Sequence, residues 1–391
     1  MDSTTLNILS AVNLRSGSFD AGIDRLFAYP LLIELLPRKE IQVVAGLRRT
    51  GKTVLLRQCM RALADRGIKP EQVLFVPCDN PLLGLSSFRE LDLLLASYAD
   101  EHPGALYFFL DEIQAVKGWE RYLKSAYDSS RPWKFVISGS SAHFFAADTA
   151  TLLTGRHFFH RITTLGLEEY FRFRPEGSLG DYLSWGGFPE VVLAENERTR
   201  RELLQTYLTT VIERDIIRRA RLRDRRQVRA LLEAVLATPG GKLNSSRLAS
   251  QFRLTPKTVE RYLAAAADAF LISLVPHFSF SKRKSRHTLP KAYPADYGFT
   301  RLLVKRVELG RAAEWAVQQH LGDATYWSSP EGEIDFITGA EAIQVTFADE
   351  PSPREWASLP SFCRRFKRSP LVLARATTER TTSIEEFLRR R

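Results

Sequence analysis

Gly46-Leu47-Arg48-Arg49-Thr50-Gly51-Lys52-Thr53 is the stretch whose reading decides the fold. It has the spacing G-x-x-x-x-G-K-T, the P-loop pattern. The apolar run Ile41-Gln42-Val43-Val44-Ala45 before it predicts a buried strand. Val54-Leu55-Leu56-Arg57-Gln58-Cys59-Met60 after it predicts the start of a helix. A strand, a glycine-bearing loop and a helix N-terminus form a phosphate cradle. The glycines let backbone N–H groups turn toward a phosphate. The Lys52 ammonium suits the β- and γ-phosphates, and the Thr53 hydroxyl suits Mg²⁺. Gly46 through Thr53, with Val54, are therefore the candidate nucleotide-binding residues. A glycine-rich turn before a helix is the plain alternative, and the flanking strand and helix weigh against it.

Outward from the P-loop, the chain alternates strand-like and helix-like stretches. Gln72-Val73-Leu74-Phe75-Val76 predicts a second strand, and residues 88–98 carry apolar side chains at helical spacing. Ala105-Leu106-Tyr107-Phe108-Phe109-Leu110 then ends in Asp111-Glu112. Parallel strands covered on both faces read as such unbroken apolar runs. This is the Walker B pattern, with Asp111 the candidate Mg²⁺ holder and Glu112 the candidate general base. Lys134-Phe135-Val136-Ile137 predicts a fourth strand, followed by Ser138-Gly139-Ser140-Ser141. Ser138 or Ser140 is a candidate sensor of the γ-phosphate, and helix N-capping by Ser140 or Ser141 is the alternative. Thr154-Gly155-Arg156 leads into a fifth strand near residues 158–163. Arg156 is the arginine-finger candidate, in a neighbouring subunit or in cis, against a surface arginine.

The 391 residues carry a formal net charge of +11 and an isoelectric point near 9.6. That favours a polyanion such as DNA as partner, and an arginine-rich proteome would give the same balance. Cys59, Cys78 and Cys363 lie far apart, which argues for reduced thiols and against a disulfide frame or zinc site. No stretch has the length of a membrane span, and the N-terminus lacks a signal-peptide pattern. A cytoplasmic location without membrane contact is expected.

Residues 182–226 predict a helix-rich lid, with a 3.6-residue pattern through Leu203, Leu204, Tyr207, Leu208, Val211, Ile212 and Ile216. Arg214, Arg218, Arg219, Arg221, Arg223, Arg225 and Arg226 form a basic cluster, a phosphate-binding surface or a solvated helix end. From Gln227 the pattern is three helices and a wing. Ser245 is the expected cap of the second helix, and Thr255-Pro256 a sharp start to the third. Lys257, Thr258 and Arg261 would face outward, and Lys282-Arg283-Lys284-Ser285-Arg286 would tip the wing. DNA contact and a rigid spacer are the competing readings.

The motifs in order resemble one family. They are the P-loop, Leu110-Asp111-Glu112-Ile113-Gln114, Ile137-Ser138-Gly139-Ser140-Ser141 and Leu153-Thr154-Gly155-Arg156. Further on come Leu165-Gly166-Leu167-Glu168-Glu169-Tyr170, Trp185-Gly186-Gly187-Phe188-Pro189-Glu190 and Glu213-Arg214-Asp215-Ile216. The chain resembles the AAA-type ATPases of archaea and bacteria that end in a domain of unknown function with a restriction-nuclease-like core. The resemblance implies ATP, Mg²⁺ and an α/β P-loop NTPase core with an additional strand in its parallel sheet. The expected organisation is an ATPase core over 1–170, a helical lid and connector over 171–226, a winged-helix-like module over 227–295 and an α/β nuclease-like domain over 296–391. In that last domain Glu314 and Asp335 are acidic, but Gln344 stands where a carboxylate is needed and Thr346 where a lysine is needed. An inactive fold used for binding or assembly is expected. The functional expectation is an ATP-hydrolysing switch or motor acting on nucleic acid, in a homo-oligomer such as a ring. The alternatives are a slow-hydrolysing scaffold with a protein partner and an ATP-gated nuclease.

Overall fold

The computed structural model describes residues 3–13, 20–140, 153–279, 288–330 and 332–390. Two compact units divide the chain, residues 1–162 and 163–391. The boundary between the units falls after Ile162.

The first unit is a five-stranded sheet in the order β2-β3-β4-β1-β5. Its strands are β1 (Ile41–Gly46), β2 (Val73–Pro77), β3 (Leu106–Asp111), β4 (Trp133–Gly139) and β5 (His157–Ile162). Every neighbouring pair is parallel. All six residues of β1 and of β3 are buried, which explains their unbroken apolar runs. β4 separates β1 from β3, the additional-strand arrangement. The helix Lys52–Asp65 follows the P-loop and buries Leu55, Leu56, Cys59, Met60 and Leu63 in one core with Val44, Phe75, Phe109 and Val136. Ser87 caps the helix Phe88–Glu101 through a capping box with Glu90.

In the second unit, the helices Leu167–Phe173 and Leu179–Trp185 share one apolar core with the helix Leu309–Leu321 and the C-terminal sheet. Trp315 lies near its centre, its ring centroid 5.5 Å from Tyr182 and 5.8 Å from Tyr297. The turn at Gly186-Gly187 wraps a buried carboxylate. Gly187 donates its N–H to Asp296 Oδ2 at 2.7 Å, and Gly298 to Oδ1 at 2.8 Å. A Cβ on Gly186 (φ +75°) would come within 1.8 Å of Asp296 Oδ1, so only glycine fits.

The helix Glu197–Thr210 does not run on with 3.6-residue geometry. It widens into a π-helix over Val211–Arg218. Val211, Ile212, Asp215, Ile216 and Ile217 are all buried there, and a wider turn keeps side chains four and five apart on one face. Next come the helices Arg225–Leu236, Ser245–Phe252 and Pro256–Asp268. With them is a three-stranded sheet, β6 (Gly241–Lys242), β7 (Ile272–Val275) and β8 (Lys291–Pro294), in the order β6-β8-β7. Asn244, not Ser245, caps the second helix, accepting from the Arg247 N–H at 2.9 Å. Thr255 caps the third as expected. The basic stretch 282–286 lies outside the described residues, as does Ser141.

The last sheet has the order β13-β12-β11-β10-β9. Its strands are β9 (Thr325–Ser329), β10 (Gly332–Ile337), β11 (Glu341–Val345), β12 (Ser369–Ala374) and β13 (Thr382–Ser383). β9, β10 and β11 are antiparallel, and β12 joins β11 in parallel after the helices Pro353–Trp356 and Leu359–Phe366. Among the described residues no helix is long and apolar enough to cross a membrane.

Candidate nucleotide site

Parallel strands bring the key residues to one edge of the first sheet. The P-loop leaves the carboxyl end of β1, Asp111 ends β3, and Ser138 lies near the end of β4 between them. Gly51 takes a left-handed φ of +86° just before the P-loop helix, where only glycine is unstrained. Gly46 is required for another reason. A Cβ there would come within 2.1 Å of the Ile162 carbonyl of β5, so this glycine serves strand packing. Arg49 has φ +66°, a local strain of about 1 kcal/mol held by the loop.

The Lys52 ammonium is buried and donates to the carbonyls of Gly46 at 3.1 Å and Leu47 at 3.0 Å. It lies 4.0 Å from Glu112 Oε1. Thr53 Oγ1 donates to Asp111 Oδ2 at 2.7 Å, and Ser138 Oγ donates to Asp111 Oδ1. Ser138 Oγ also accepts the Glu112 N–H at 3.0 Å. Burial pushes the Asp111 carboxyl up, and the bonds from Ser138 and Thr53 pull it back. Glu112 has a left-handed backbone (φ +50°), and its carboxylate accepts from Gln114 Nε2.

These groups fit Mg²⁺. A small hard cation that keeps several waters needs one or two protein oxygens besides the phosphates. Thr53 Oγ1 and the Asp111 carboxylate supply that pair at hydrogen-bond distance.

Ser138 thus ties Asp111 to the Glu112 backbone. Ser140 Oγ is buried at the β4 tip with no hydrogen-bond partner among the described residues. Arg156 precedes β5 at the opposite end of the sheet. Its carbonyl accepts the Ile41 N–H, at the start of β1. That is five strand residues from Gly46, roughly 17 Å away. A cis role at the P-loop is therefore corrected, because Arg156 pairs instead with Asp128 at 2.9 Å.

Sequence reasoning missed Arg25, Gln58 and Gln114. Arg25 is buried and donates through Nη1 to the Thr50 carbonyl of the P-loop. Gln58, on the P-loop helix, accepts the Arg25 N–H at 3.0 Å and donates to the carbonyls of Ala21 at 2.9 Å and Ile23 at 2.7 Å. The segment before the core therefore straps the loop. A glutamine buried on an amphipathic helix was the available signal.

Of the degenerate nuclease positions, Asp335 and Gln344 meet, while Glu314 accepts from Tyr293. Gln344 Nε2 donates to Asp335 Oδ2 at 2.8 Å, the Val345 N–H adds a second bond at 3.0 Å, and Tyr293 Oη donates to Glu314 at 3.2 Å. The side chain that sequence reading overlooked is Lys291 of β8, buried 2.6 Å from Glu333 and 3.5 Å from Asp335.

A parallel sheet with a P-loop on one strand tip and paired carboxylates two strands away defines a P-loop nucleotide-binding module. Residues 38–171 match the sequence model of an AAA domain, which supports an ATPase of the AAA type. Residues 176–309 match a domain of unknown function, DUF8612. The chain is 26% identical to an uncharacterized protein of Methanocaldococcus jannaschii over 64% of its own length and 59% of that protein's. It is also 26% identical to an uncharacterized protein of Haemophilus influenzae, over 69% and 70% of the two lengths. With one of Mycobacterium tuberculosis, again at 26%, the shares are 72% and 60%. The chain thus spans under two thirds of two of these relatives. Among solved structures, AMPPCP-bound DnaA from Aquifex aeolicus aligns at 13% identity and TM-score 0.36, over 65% of this chain and 93% of that one. The Thermotoga maritima RuvB branch migration motor aligns at 16% and 0.35, over 68% and 94%. Scores this low add nothing to what the sheet order shows.

Proposed function

We propose that the chain is a Mg²⁺-dependent ATPase whose hydrolysis cycle switches its contact with nucleic acid. The observation that carries this reading is the bond between Thr53 Oγ1 and Asp111 Oδ2, with Lys52 and Glu112 beside it. The Mg²⁺ held by Thr53 and Asp111 would neutralise charge on the phosphates. Lys52 would leave its loop carbonyls for the β- and γ-phosphate oxygens. Glu112 would take a proton from the attacking water as the new P–O bond forms and the bond to the ADP oxygen breaks. Ser140, whose hydroxyl has no partner among the described residues, is the better sensor candidate, since Ser138 is committed to Asp111 and Glu112. Arg156 remains a finger candidate only toward a neighbouring subunit.

The nucleic-acid part rests on the second unit. We read residues 225–294 as a winged-helix-like module, supported by three helices and a three-stranded sheet. Lys257 and Arg261 are exposed on its third helix, and Thr258 is half-buried. All seven arginines between 214 and 226 are exposed. We read the last sheet as a nuclease-like fold without hydrolysis, supported by Gln344 and Thr346.

The test is ATP turnover in the wild type, Lys52→Ala and Glu112→Gln, with and without DNA. Lys52→Ala is expected to abolish binding, and Glu112→Gln to keep binding while turnover falls at least about a hundredfold. Unchanged turnover in Glu112→Gln would remove the general base from this scheme. A second reading, a slow-hydrolysing scaffold, is favoured by the bond that ties Glu112 to Gln114. Low turnover that DNA leaves unchanged would select it.

A further inference from the structure

A cavity of about 820 Å³ lies in the second unit, lined among others by Gly240, Gly241, Lys242, Arg247, Arg311 and Glu333. Its glycine wall is thin. A Cβ on Gly240 would come within 3.0 Å of Glu314 Oε2 and 3.3 Å of Tyr293 Oη. Glu314 therefore sits directly behind the wall, and Asp335 and Glu333 continue the carboxylate group through Lys291.

Converging carboxylates call for a cation. Among the described residues, however, no group of three His, Cys, Asp or Glu side chains is arranged to hold a metal ion. The charge is met from within. Lys291 Nζ lies 2.6 Å from Glu333 and 3.5 Å from Asp335, and Lys242 Nζ lies 2.7 Å from the other Glu333 oxygen. Asp335 Oδ2 is taken by Gln344 and Val345. Burial, with the Asp335 charge, pushes Glu314 up to about 8. Lys242 and Lys291 thus balance Glu333 and Asp335. The lining is positive on balance: Lys242 pairs with Glu333, the lining's one carboxylate among the described residues, and the exposed Arg247 and Arg311 are in excess, the latter beside Glu308, which is 69% exposed.

We propose that this cavity binds a nucleic-acid phosphodiester strand without a metal ion, the buried Lys291 ammonium balancing the carboxylates Glu333 and Asp335. This rests on the nucleic-acid reading above and not on ATP hydrolysis. Sugar and phosphate lie against Arg247 and Arg311, and the strand is held but not cut.

The test uses the full chain carrying Lys52→Ala, so that the P-loop does not take up phosphates. A fluorescent 12-nucleotide single-stranded DNA is titrated without nucleotide at several salt concentrations, with and without EDTA. Binding that EDTA leaves unchanged is expected. Adding Arg311→Gln and Arg247→Gln should lower affinity about tenfold and reduce the slope of log affinity against log salt by about 1.4, the value for two lost phosphate contacts. Arg247→Gln alone, at an exposed side chain, should give about half that change in slope and guards against misfolding of the pair. An unchanged slope in both variants overturns the cavity while leaving DNA binding elsewhere intact. Loss of binding in EDTA, or cleavage of the strand in Mg²⁺, overturns the metal-free site. Equal displacement by poly-glutamate overturns the nucleic-acid ligand. ATP turnover, measured separately in the wild type, reports on the hydrolysis reading alone.

Discussion

Ser138 shows how much one hydroxyl can hold at the strand tips. It donates to Asp111 and accepts the Glu112 N–H, so it fixes the Asp111 carboxylate and the Glu112 backbone together. Ser138→Ala leaves a buried carboxylate oxygen and an N–H each short of a partner. About 1–3 kcal/mol of stability should be lost. Turnover should fall more than ATP affinity, by about a hundredfold, because misplacing the catalytic group costs rate before binding. Thermal melts and paired measurements of ATP affinity and turnover check this, and equal losses in both would argue for simple destabilisation. The strand-tip residues were legible because glycine, lysine, threonine and paired acids have few other reasons to stand in that order. Arg25 was not legible. Its guanidinium reaches the Thr50 carbonyl, and nothing in its neighbours along the chain marks a long-range backbone partner. Lys291 was hidden for the same reason, since its partners lie 42 and 44 residues further on.

At the scale of elements, apolar runs and caps fixed the parallel strands, and the helix start at Thr255-Pro256 needed no tertiary information. The π-helix at Val211–Arg218 did need it, because burial of five side chains within seven residues sets its width. The Gly186-Gly187 turn belongs here too. Its constraint is Asp296, more than a hundred residues away. Burial pushes the Asp296 carboxyl up to about 7, and the bonds from Gly187 and Gly298 limit the rise. Its folded value therefore lies above its unfolded one. The folded state binds the extra proton between roughly pH 4 and pH 7, so this group's contribution falls as pH rises through that window. Between pH 5.5 and 7.5 the wild type should lose about 2 kcal/mol from this group. Asp296→Asn carries no charge at any pH. It should be less stable at pH 5.5, since an amide cannot accept from both backbone N–H groups, but it should lack this slope. Denaturant titrations at the two pH values check it, and parallel losses in both proteins would mean that Asp296 does not titrate.

In the first unit the P-loop, Asp111 and Ser138 gather at the carboxyl ends of the strands, and the finger candidate lies at the opposite end of the sheet. Arg156 is held by Asp128 and lies 5.8 Å from the Tyr127 ring centroid, at the amino end of β5. An exposed pair of this kind adds little stability, so a neighbouring subunit's phosphates would outcompete it readily. If Arg156 completes a neighbour's site, each site is split between two chains. Lys52→Ala destroys the receiving half and Arg156→Ala the donating half. Each variant alone should be nearly inactive, while melting like the wild type in the Arg156→Ala case. Mixing the two in equal amounts should restore turnover, because a chain that keeps Lys52 then meets one that keeps Arg156. For two-fold pairing the recovered activity is roughly a quarter of wild type. Recovery should appear only at concentrations where mass measurements show assembly. Full activity of Arg156→Ala alone, or a mixture no more active than its parts, would make Arg156 a surface residue bound to Asp128 and nothing more.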